Sequence, residues 1–294
     1  MLLNSFEPSR LFEFDYVLFD AIFLVGWLFI LVKNKKWNAL YFGLFCAIIT
    51  WMIDALWWWN APYNGTYIRE YFIGGIDGIE VHGHLQYLPF KFACDFMMTI
   101  SYSLYAFPWM WIMYEYISKK TSEGELTRDD WESISLYTSY YFGTWLLLPF
   151  LMYLIPLNNT QIYTVRHMDT QIMVWVVNVI VGYTILALIY GTPLIRKIKP
   201  EAKNQKQVIL YVLIVGCLES LFMEFPLFIS GIRPTDPVFL IIEIFLLVNQ
   251  GAPYLFIAYD IVLPFAAKGV KRILNHDQTA TATSEQTLEM KKKH

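Results

Sequence analysis

Long apolar segments constrain the fold of this chain more than any other feature. A transmembrane helix needs about 20 mostly apolar residues to cross a hydrocarbon core about 30 Å thick. Seven segments of the sequence meet this requirement, namely 16–33, 38–59, 88–117, 134–155, 170–192, 207–229 and 237–263. Only 16% of the 294 residues are charged, against about 25% in soluble domains. The sequence therefore predicts an all-α, polytopic membrane protein, built as a bundle of seven transmembrane helices.

The distribution of basic residues predicts how this bundle is oriented. The linkers KNKK, KKTSEGELTR and RKIKPEAKNQK, together with the tail, hold 17 of the 22 Lys and Arg residues. The positive-inside rule assigns these parts to the cytosol. We therefore expect a luminal or exterior N-terminus, a transmembrane domain over 1–264 and a cytosolic basic tail over 265–294. The net charge of −3 gives no basic surface for binding nucleic acid. The apolar segments make the lipid bilayer the expected partner.

Two further features bear on the location of the protein. Asn64 and Asn158 begin the only N-x-S/T sequons, and both lie in predicted outward loops where glycosylation can occur. The chain ends in KKKH, which resembles the dilysine signal of endoplasmic reticulum membrane proteins. A disordered, Lys-rich end is the alternative interpretation of this tail. The sequons favour a glycoprotein of the endoplasmic reticulum membrane.

Ionisable side chains inside the apolar segments point to function. A carboxylate at membrane depth costs roughly 2.5–3.5 kcal/mol, so it usually faces a cavity or a partner. Six acids lie within predicted helices and share one half of the membrane: Asp20, Asp54, Asp95, Glu219, Glu224 and Glu243. The last five of these are the candidate catalytic residues. Each must be protonated, bind a cation, or pair with a luminal base.

Polar residues at helical spacing suggest where these acids point. The stripes are Asp95–Thr99–Tyr102, Tyr137–Tyr141–Thr144, Gln171–Trp175–Asn178 and Glu243–Gln250. We expect the stripes to face a common interior, although for Thr99, Thr144 and Asn178 taken singly we favour interhelical hydrogen bonding. Aromatic walls hold greasy ligands and stabilise cations through their ring quadrupoles. The candidate substrate-binding residues are Trp51, Tyr102, Tyr141, Trp175 and Gln250.

One loop motif raises the question of a metal. Glu80, His82 and His84 alternate in the loop between the second and third segments, and such a set can ligate zinc. Solvated loop histidines are the alternative, which we favour. We therefore expect no metal and no other cofactor at the acids.

The second segment also carries a family resemblance. Trp51-Met-Ile-Asp54, followed by Pro62, resembles the fungal integral-membrane terpene cyclases of secondary metabolism, although Asp54 stands where that family typically has Glu. The resemblance implies a metal-independent enzyme of the endoplasmic reticulum. It further implies that an embedded acid protonates an epoxidised prenyl chain of a meroterpenoid precursor.

Residues and resemblance together predict a membrane-bound terpene cyclase. Its substrate would be a hydrophobic, prenyl or lipid-like small molecule in an aromatic, carboxylate-lined cavity. The alternative is a proton- or cation-coupled transporter or channel that uses the same acids. A seven-span receptor is disfavoured because the third segment ends in MYEYISKK, without an Asp/Glu-Arg-Tyr switch.

Overall fold

The first half of the chain forms long helices with two π-helical stretches. The structure is a computed structural model and describes residues 10–58, 60, 62–63, 66–67, 69–75, 77–166, 168–198, 205–233 and 236–270. The first helices are α1 (Asp15–Lys33) and α2 (Trp37–Thr50), and α2 continues as a π-helix over Trp51–Trp58. A short 3-10 turn (Leu85–Tyr87) leads into α3 (Leu88–Asp95), a π-helix over Phe96–Ser101 and α4 (Tyr102–Glu123). These four elements follow one another without a break.

Helices also dominate the second half. They are α5 (Arg128–Leu154), α6 (Met168–Tyr190), the short α7 (Leu194–Ile198), α8 (Gln205–Ile229), α9 (Pro237–Leu246) and α10 (Ala252–Ile257). A π-helix over Ala258–Val262 follows. The chain divides into two units, Met1–Pro253 and Tyr254–His294. All contacts described below lie within the first unit.

The helices agree with the predicted segments in part. Helices occupy most of each of the seven segments, and 78% of the structure is helical. Five helices are long and apolar enough to cross a membrane: Asp15–Lys33, Trp37–Trp58, Gln171–Tyr190, Lys206–Ile229 and Ala252–Val270. The third and fourth predicted segments form helices that fall outside this group. The seventh segment is interrupted after Leu246, so the count of seven spans stays a prediction.

A small antiparallel sheet was not predicted from the sequence. Its strands are β1 (Arg10–Glu13), β4 (Arg69–Ile73), β5 (Ile79–Glu80) and β6 (Gln161–Arg166), in the order β1-β6-β4-β5. A separate hairpin pairs β2 (Pro62–Tyr63) with β3 (Thr66–Tyr67). The registers place Phe12 opposite Ile162 and Tyr71 opposite Thr164. Each strand is short and lies in a connection between apolar helices, where hydrophobic periodicity gives little signal.

The sheet defines one end of the first unit, here called the sheet end. It joins the segment before α1, the connection from α2 to α3 and the connection from α5 to α6. The Leu11 N–H donates to the Ile232 carbonyl (2.8 Å), which adds the connection from α8 to α9. Asp15, buried at the start of α1, accepts hydrogen bonds from the Leu157 N–H (2.5 Å) and the Asn158 N–H (2.7 Å). The predicted outward loops therefore meet at one end.

Candidate functional site

Aromatic rings fill the interior where α1, α4, α5 and α8 meet. The participating residues are Trp27 on α1, Tyr105 and Trp109 on α4, Tyr137, Tyr140, Tyr141 and Trp145 on α5, and Phe222 on α8. Tyr105 stacks on Tyr141 with ring centroids 5.9 Å apart, and Phe222 meets Trp109 edge to face at 5.5 Å. These are the geometries that aromatic quadrupoles prefer. We call this set the aromatic cluster.

Glu219 on α8 is the acid that borders the aromatic cluster. Its side chain is fully buried, and one carboxyl oxygen accepts a hydrogen bond from the Tyr141 hydroxyl. The other oxygen, Oε2, has no hydrogen-bond partner among the described residues. The described residues also provide no Lys or Arg that pairs with Glu219. Within the described part of the chain, Glu219 is therefore a buried carboxyl group without a counter-ion.

Asp54 and Asp95, by contrast, pair with bases from the sheet end. Asp54 lies in the π-helix that extends α2 and forms an ion pair with Arg69 of β4. The Lys91 ammonium lies 2.7 Å from Asp95 and also donates to the Ala55 carbonyl at 3.2 Å. The Arg69 pair therefore fastens Asp54 to the connection between α2 and α3, whereas Lys91 lies on α3 itself and links Asp95 to the π-helix that extends α2.

Tyr71 of β4 adds a second contact to Asp95. Burial, and then the nearby charge of Asp95, raise the pKa of Tyr71 well above its ordinary value. The tyrosine hydroxyl therefore keeps its proton and donates to Asp95 Oδ1 at 3.2 Å. The sheet, which periodicity does not reveal, thus supplies two of the partners of the predicted acids.

Glu224 and Glu243 belong to a buried charge network with two arginines. Arg233, in the connection from α8 to α9, pairs with both glutamates and is only 1% exposed. Glu224 also binds Arg10 of β1 at 3.1 Å. Ion pairs therefore join glutamates of α8 and α9 to one arginine of β1 and one arginine of the connection from α8 to α9. We call these four residues the arginine network.

The remaining predicted residues fall into different surroundings. Trp175 packs with Phe239 of α9, where Ile172, Leu246 and Leu247 complete a small apolar cluster. Thr99 donates to its own helix at the Asp95 carbonyl (2.5 Å), and Gln250 donates to the Leu247 carbonyl (3.0 Å). Tyr102 and Trp51 are half-buried. Among the predicted substrate-binding residues, Tyr141 is the one that contacts Glu219 directly.

A second buried acid was noted in the sequence but not chosen as a site residue. Asp20 on α1 is fully buried, and neither of its oxygens has a hydrogen-bond partner among the described residues. The spacing of Tyr16, Asp20 and Trp27 places all three on one face of α1, and all three are buried. That spacing is a sequence signal that could have identified Asp20. The partners Arg10 and Arg233 carry no comparable signal.

The loop carrying the alternating His and Glu residues shows no metal-binding arrangement. Glu80 lies in β5, opposite Phe72, and the His84 ring lies against Tyr87 with centroids 6.1 Å apart. No group of three or more His, Cys, Asp or Glu residues that could hold a metal occurs in the described part of the chain. The zinc alternative therefore gains no support at this loop.

The interruption of the seventh predicted segment contacts α8 next to Glu219. Residues 247–251 form turns between α9 and α10. The Val248 N–H donates to the hydroxyl of Ser220 (3.2 Å), the residue after Glu219. The buried Asn249 accepts from the Tyr183 hydroxyl (2.5 Å). Side chains thus form hydrogen bonds with the Val248 N–H and the Asn249 amide where the helix breaks. Non-helical backbone within a membrane requires such partners.

Comparison with known proteins adds no identity to this geometry. No protein-family model, no curated protein and no solved structure matches the chain.

Proposed function

We propose that this protein is an integral-membrane terpene cyclase in which Glu219 protonates the substrate. The proposal rests on a difference among the five predicted acids. Four of them, Asp54, Asp95, Glu224 and Glu243, form ion pairs with Arg or Lys, so the charge of each carboxylate has a direct counter-ion. Among the residues that the structure describes, Glu219 has no such partner, and a lone charge in an apolar interior is costly. Glu219 is therefore the acid most suited to carry a proton.

The surroundings of Glu219 fit the chemistry of acid-initiated cyclisation. The Tyr141 hydroxyl orients the carboxyl group, while the unpartnered Oε2 holds the proton for transfer. The proton passes to an epoxide oxygen, the C–O bond breaks towards that oxygen, and a neighbouring alkene attacks the resulting carbocation. The rings of Trp109, Tyr105 and Phe222 stabilise the positive charge as it moves along the prenyl chain of the substrate. A second acid or a tyrosine takes up the proton that the final cation loses.

The test compares amides at the five predicted acids. We expect Glu219→Gln to lower turnover of a prenyl epoxide by at least about 100-fold, since general acid catalysis contributes roughly 10²–10⁴-fold. Asp54→Asn is the matched control and should stay within about threefold, because Asp54 is paired with Arg69 outside the aromatic cluster. Turnover is measured by product formation in proteoliposomes, with the unfolding temperature as a check on folding.

Two further variants sharpen the result. Tyr141→Phe removes the hydroxyl that contacts Glu219 and should lower turnover less than Glu219→Gln does, because the donor itself remains. Glu219→Asp keeps an acid and should retain part of the activity. Full activity of Glu219→Gln, or equal activity of all five amides with a prenyl epoxide, would contradict the proposal.

A cation- or proton-coupled transporter is the second candidate. The helix interruption at 247–251, with Val248 bonded to Ser220 beside Glu219, is the observation that favours it, because discontinuous helices form ion sites in many transporters. Under this alternative, proteoliposomes carry proton or cation flux that Glu219→Gln abolishes. Flux without any conversion of a prenyl substrate would replace the cyclase proposal.

We further propose a location in the endoplasmic reticulum membrane with a luminal sheet end. Asn158 is exposed, and its side-chain oxygen accepts from the Thr160 hydroxyl at 2.7 Å, so an Asn-x-Thr acceptor is accessible there. Asn64 and the KKKH tail lie outside the described residues, and both stay predictions.

A further inference from the structure

Asp20 lies in a group of buried polar side chains that make no direct hydrogen bonds. The atoms concerned are both Asp20 carboxyl oxygens, the hydroxyls of Tyr16, Ser101 and Tyr105, and Trp145 Nε1. None of these atoms has a hydrogen-bond partner among the described residues. Asp20, Ser101 and Tyr105 are fully buried, and Tyr16 is only 2% exposed. Buried polar atoms in folded proteins are almost always satisfied, so a group of this size requires an explanation.

The group is compact and comes from neighbouring helices. Ser101 lies beside Asp20 where its π-helix packs on α1, without meeting hydrogen-bond geometry. The Tyr16 and Tyr105 hydroxyls both lie within electrostatic range of Asp20, and of each other. Trp145 meets the Tyr105 ring edge to face at 6.2 Å. Buried oxygen atoms that lie near one another without direct hydrogen bonds are expected where a bound ion or water molecule lies between them.

The set of donor atoms restricts the identity of the bound species. The four side chains with oxygen atoms provide one carboxylate and three hydroxyls, which are hard ligands. One carboxylate balances one positive charge, whereas calcium sites usually use several carboxylates. No His or Cys takes part, which argues against a transition metal. Arg10, which lies within electrostatic range of Tyr16, is bound to Glu224.

A water molecule leaves the charge of Asp20 unmatched and so requires a protonated carboxyl group, as at Glu219, whereas a cation held by the three hydroxyls balances the charge of the carboxylate. We propose that Asp20, Ser101, Tyr16 and Tyr105 form a binding site for a monovalent alkali cation. The site shares Tyr105 with the aromatic cluster, but it does not include Glu219 and does not rest on the proposed cyclase activity. A bound cation would tie α1 to α4 and to the π-helix that precedes α4, so its effect is on stability.

The experiment measures the unfolding temperature of the full-length protein in detergent. Sodium chloride, potassium chloride and N-methylglucamine chloride are compared at equal ionic strength. We expect saturable stabilisation by sodium, by potassium or by both relative to N-methylglucamine, with a shift of roughly 2–8 °C at saturation. The relative effect of the two alkali salts gives the selectivity of the site.

Variants link the effect to Asp20. Asp20→Asn removes the charge with little change of shape and should abolish the difference between salts, whereas Glu219→Gln should retain it. Equal unfolding temperatures in all three salts would overturn the proposal, as would a salt effect that survives in Asp20→Asn. If Asp20→Asn does not fold, equilibrium dialysis of the wild-type protein against radioactive sodium and rubidium decides. One ion bound per chain supports the site, and none overturns it.

Discussion

At the scale of single residues, the chemistry of a buried carboxyl group depends on which base lies beside it. Three of the predicted acids pair with arginines of the connections at the sheet end, where Arg233 serves two of them, and Asp95 pairs with Lys91 of its own helix. Glu219 and Asp20 do not pair with any Lys or Arg that the structure describes. The same residue type therefore serves two purposes. Paired acids fasten connections to helices, and unpaired acids remain available for a proton or a ligand.

Arg233 provides a test of the fastening role. Breaking a buried ion pair leaves an uncompensated charge and typically costs about 3–5 kcal/mol. We expect Arg233→Met to lower the free energy of unfolding by about this amount, because Glu224 and Glu243 both lose a partner in a site that is about 1% exposed. Denaturant titration in mixed micelles measures the change.

Two controls accompany this variant. Arg128→Met removes an exposed pair with Glu132, in which the arginine is 90% exposed, and should change the free energy of unfolding by less than about 1 kcal/mol. The double variant Arg233→Met, Glu243→Gln should recover part of the loss, because it removes one of the uncompensated charges. A loss for Arg233→Met as small as that for Arg128→Met would show that the arginine network contributes little.

The sequence predicted much of this chemistry, and the missing part has a physical reason. Hydrophobicity and helical spacing identify Glu219 and Tyr141 as buried residues of apolar helices, and both lie in the site. Spacing within a helix cannot show that Arg10 and Arg233 reach Glu224. That contact depends on how two connections fold over the helix ends, and connections follow no period.

At the scale of secondary-structure elements, the two ends of the bundle are built differently. The sheet end uses strands and buried ion pairs. The opposite end uses short turns and half-exposed pairs, such as Lys36 with Glu115 at 2.7 Å. There α5 begins with a capping box, in which Thr127 accepts from the Asp130 N–H (3.3 Å) and Asp130 accepts from the Thr127 N–H (2.8 Å). The sequence TRDD carries this signal, whereas the strands carry none as clear.

The capping box predicts a pH-dependent loosening of the turn between α4 and α5. Hydrogen bonds from Lys119 and Thr127 lower the pKa of Asp130 to about 2, from its ordinary value of 3.8. A lowered pKa contributes stability above the ordinary value, and this stability is lost as the pH falls from about 4 to about 2. We expect pepsin to cleave this turn increasingly over that range.

Asp130→Asn is the reference at each pH, since pepsin activity itself varies. The variant lacks the titrating carboxyl group, so the ratio of wild-type to variant cleavage should rise as the pH falls. The ratio is measured by mass spectrometry of the fragments. A ratio that stays constant between pH 4 and pH 2 would show that the Asp130 carboxylate does not hold the turn.

At the scale of the whole chain, alternation of the helices separates two sets of connections. Strands β1, β4, β5 and β6 gather with Ile232 at the sheet end. The basic linkers with Lys36 and Lys119 belong to the other set. Arg10, Arg69 and Arg233 of the first set, and Lys91 on α3, form ion pairs with acids. The basic linkers and the tail hold 17 of the 22 Lys and Arg residues, so few belong to the sheet end, which fits its predicted luminal or exterior side.

Cysteine labelling tests this orientation directly. Asp77 lies in the β4–β5 turn and Glu125 between α4 and α5, and both are exposed. We expect a membrane-impermeant maleimide to label Asp77→Cys in sealed vesicles whose luminal or exterior side faces the reagent, and to label Glu125→Cys only after the membrane is permeabilised. The native Cys46, Cys94 and Cys217 lie in the helices without disulfides, so the wild-type protein gives the background. The reverse pattern would invert the topology and place the sheet in the cytosol. Equal labelling of both positions before permeabilisation would contradict an alternating arrangement of spans.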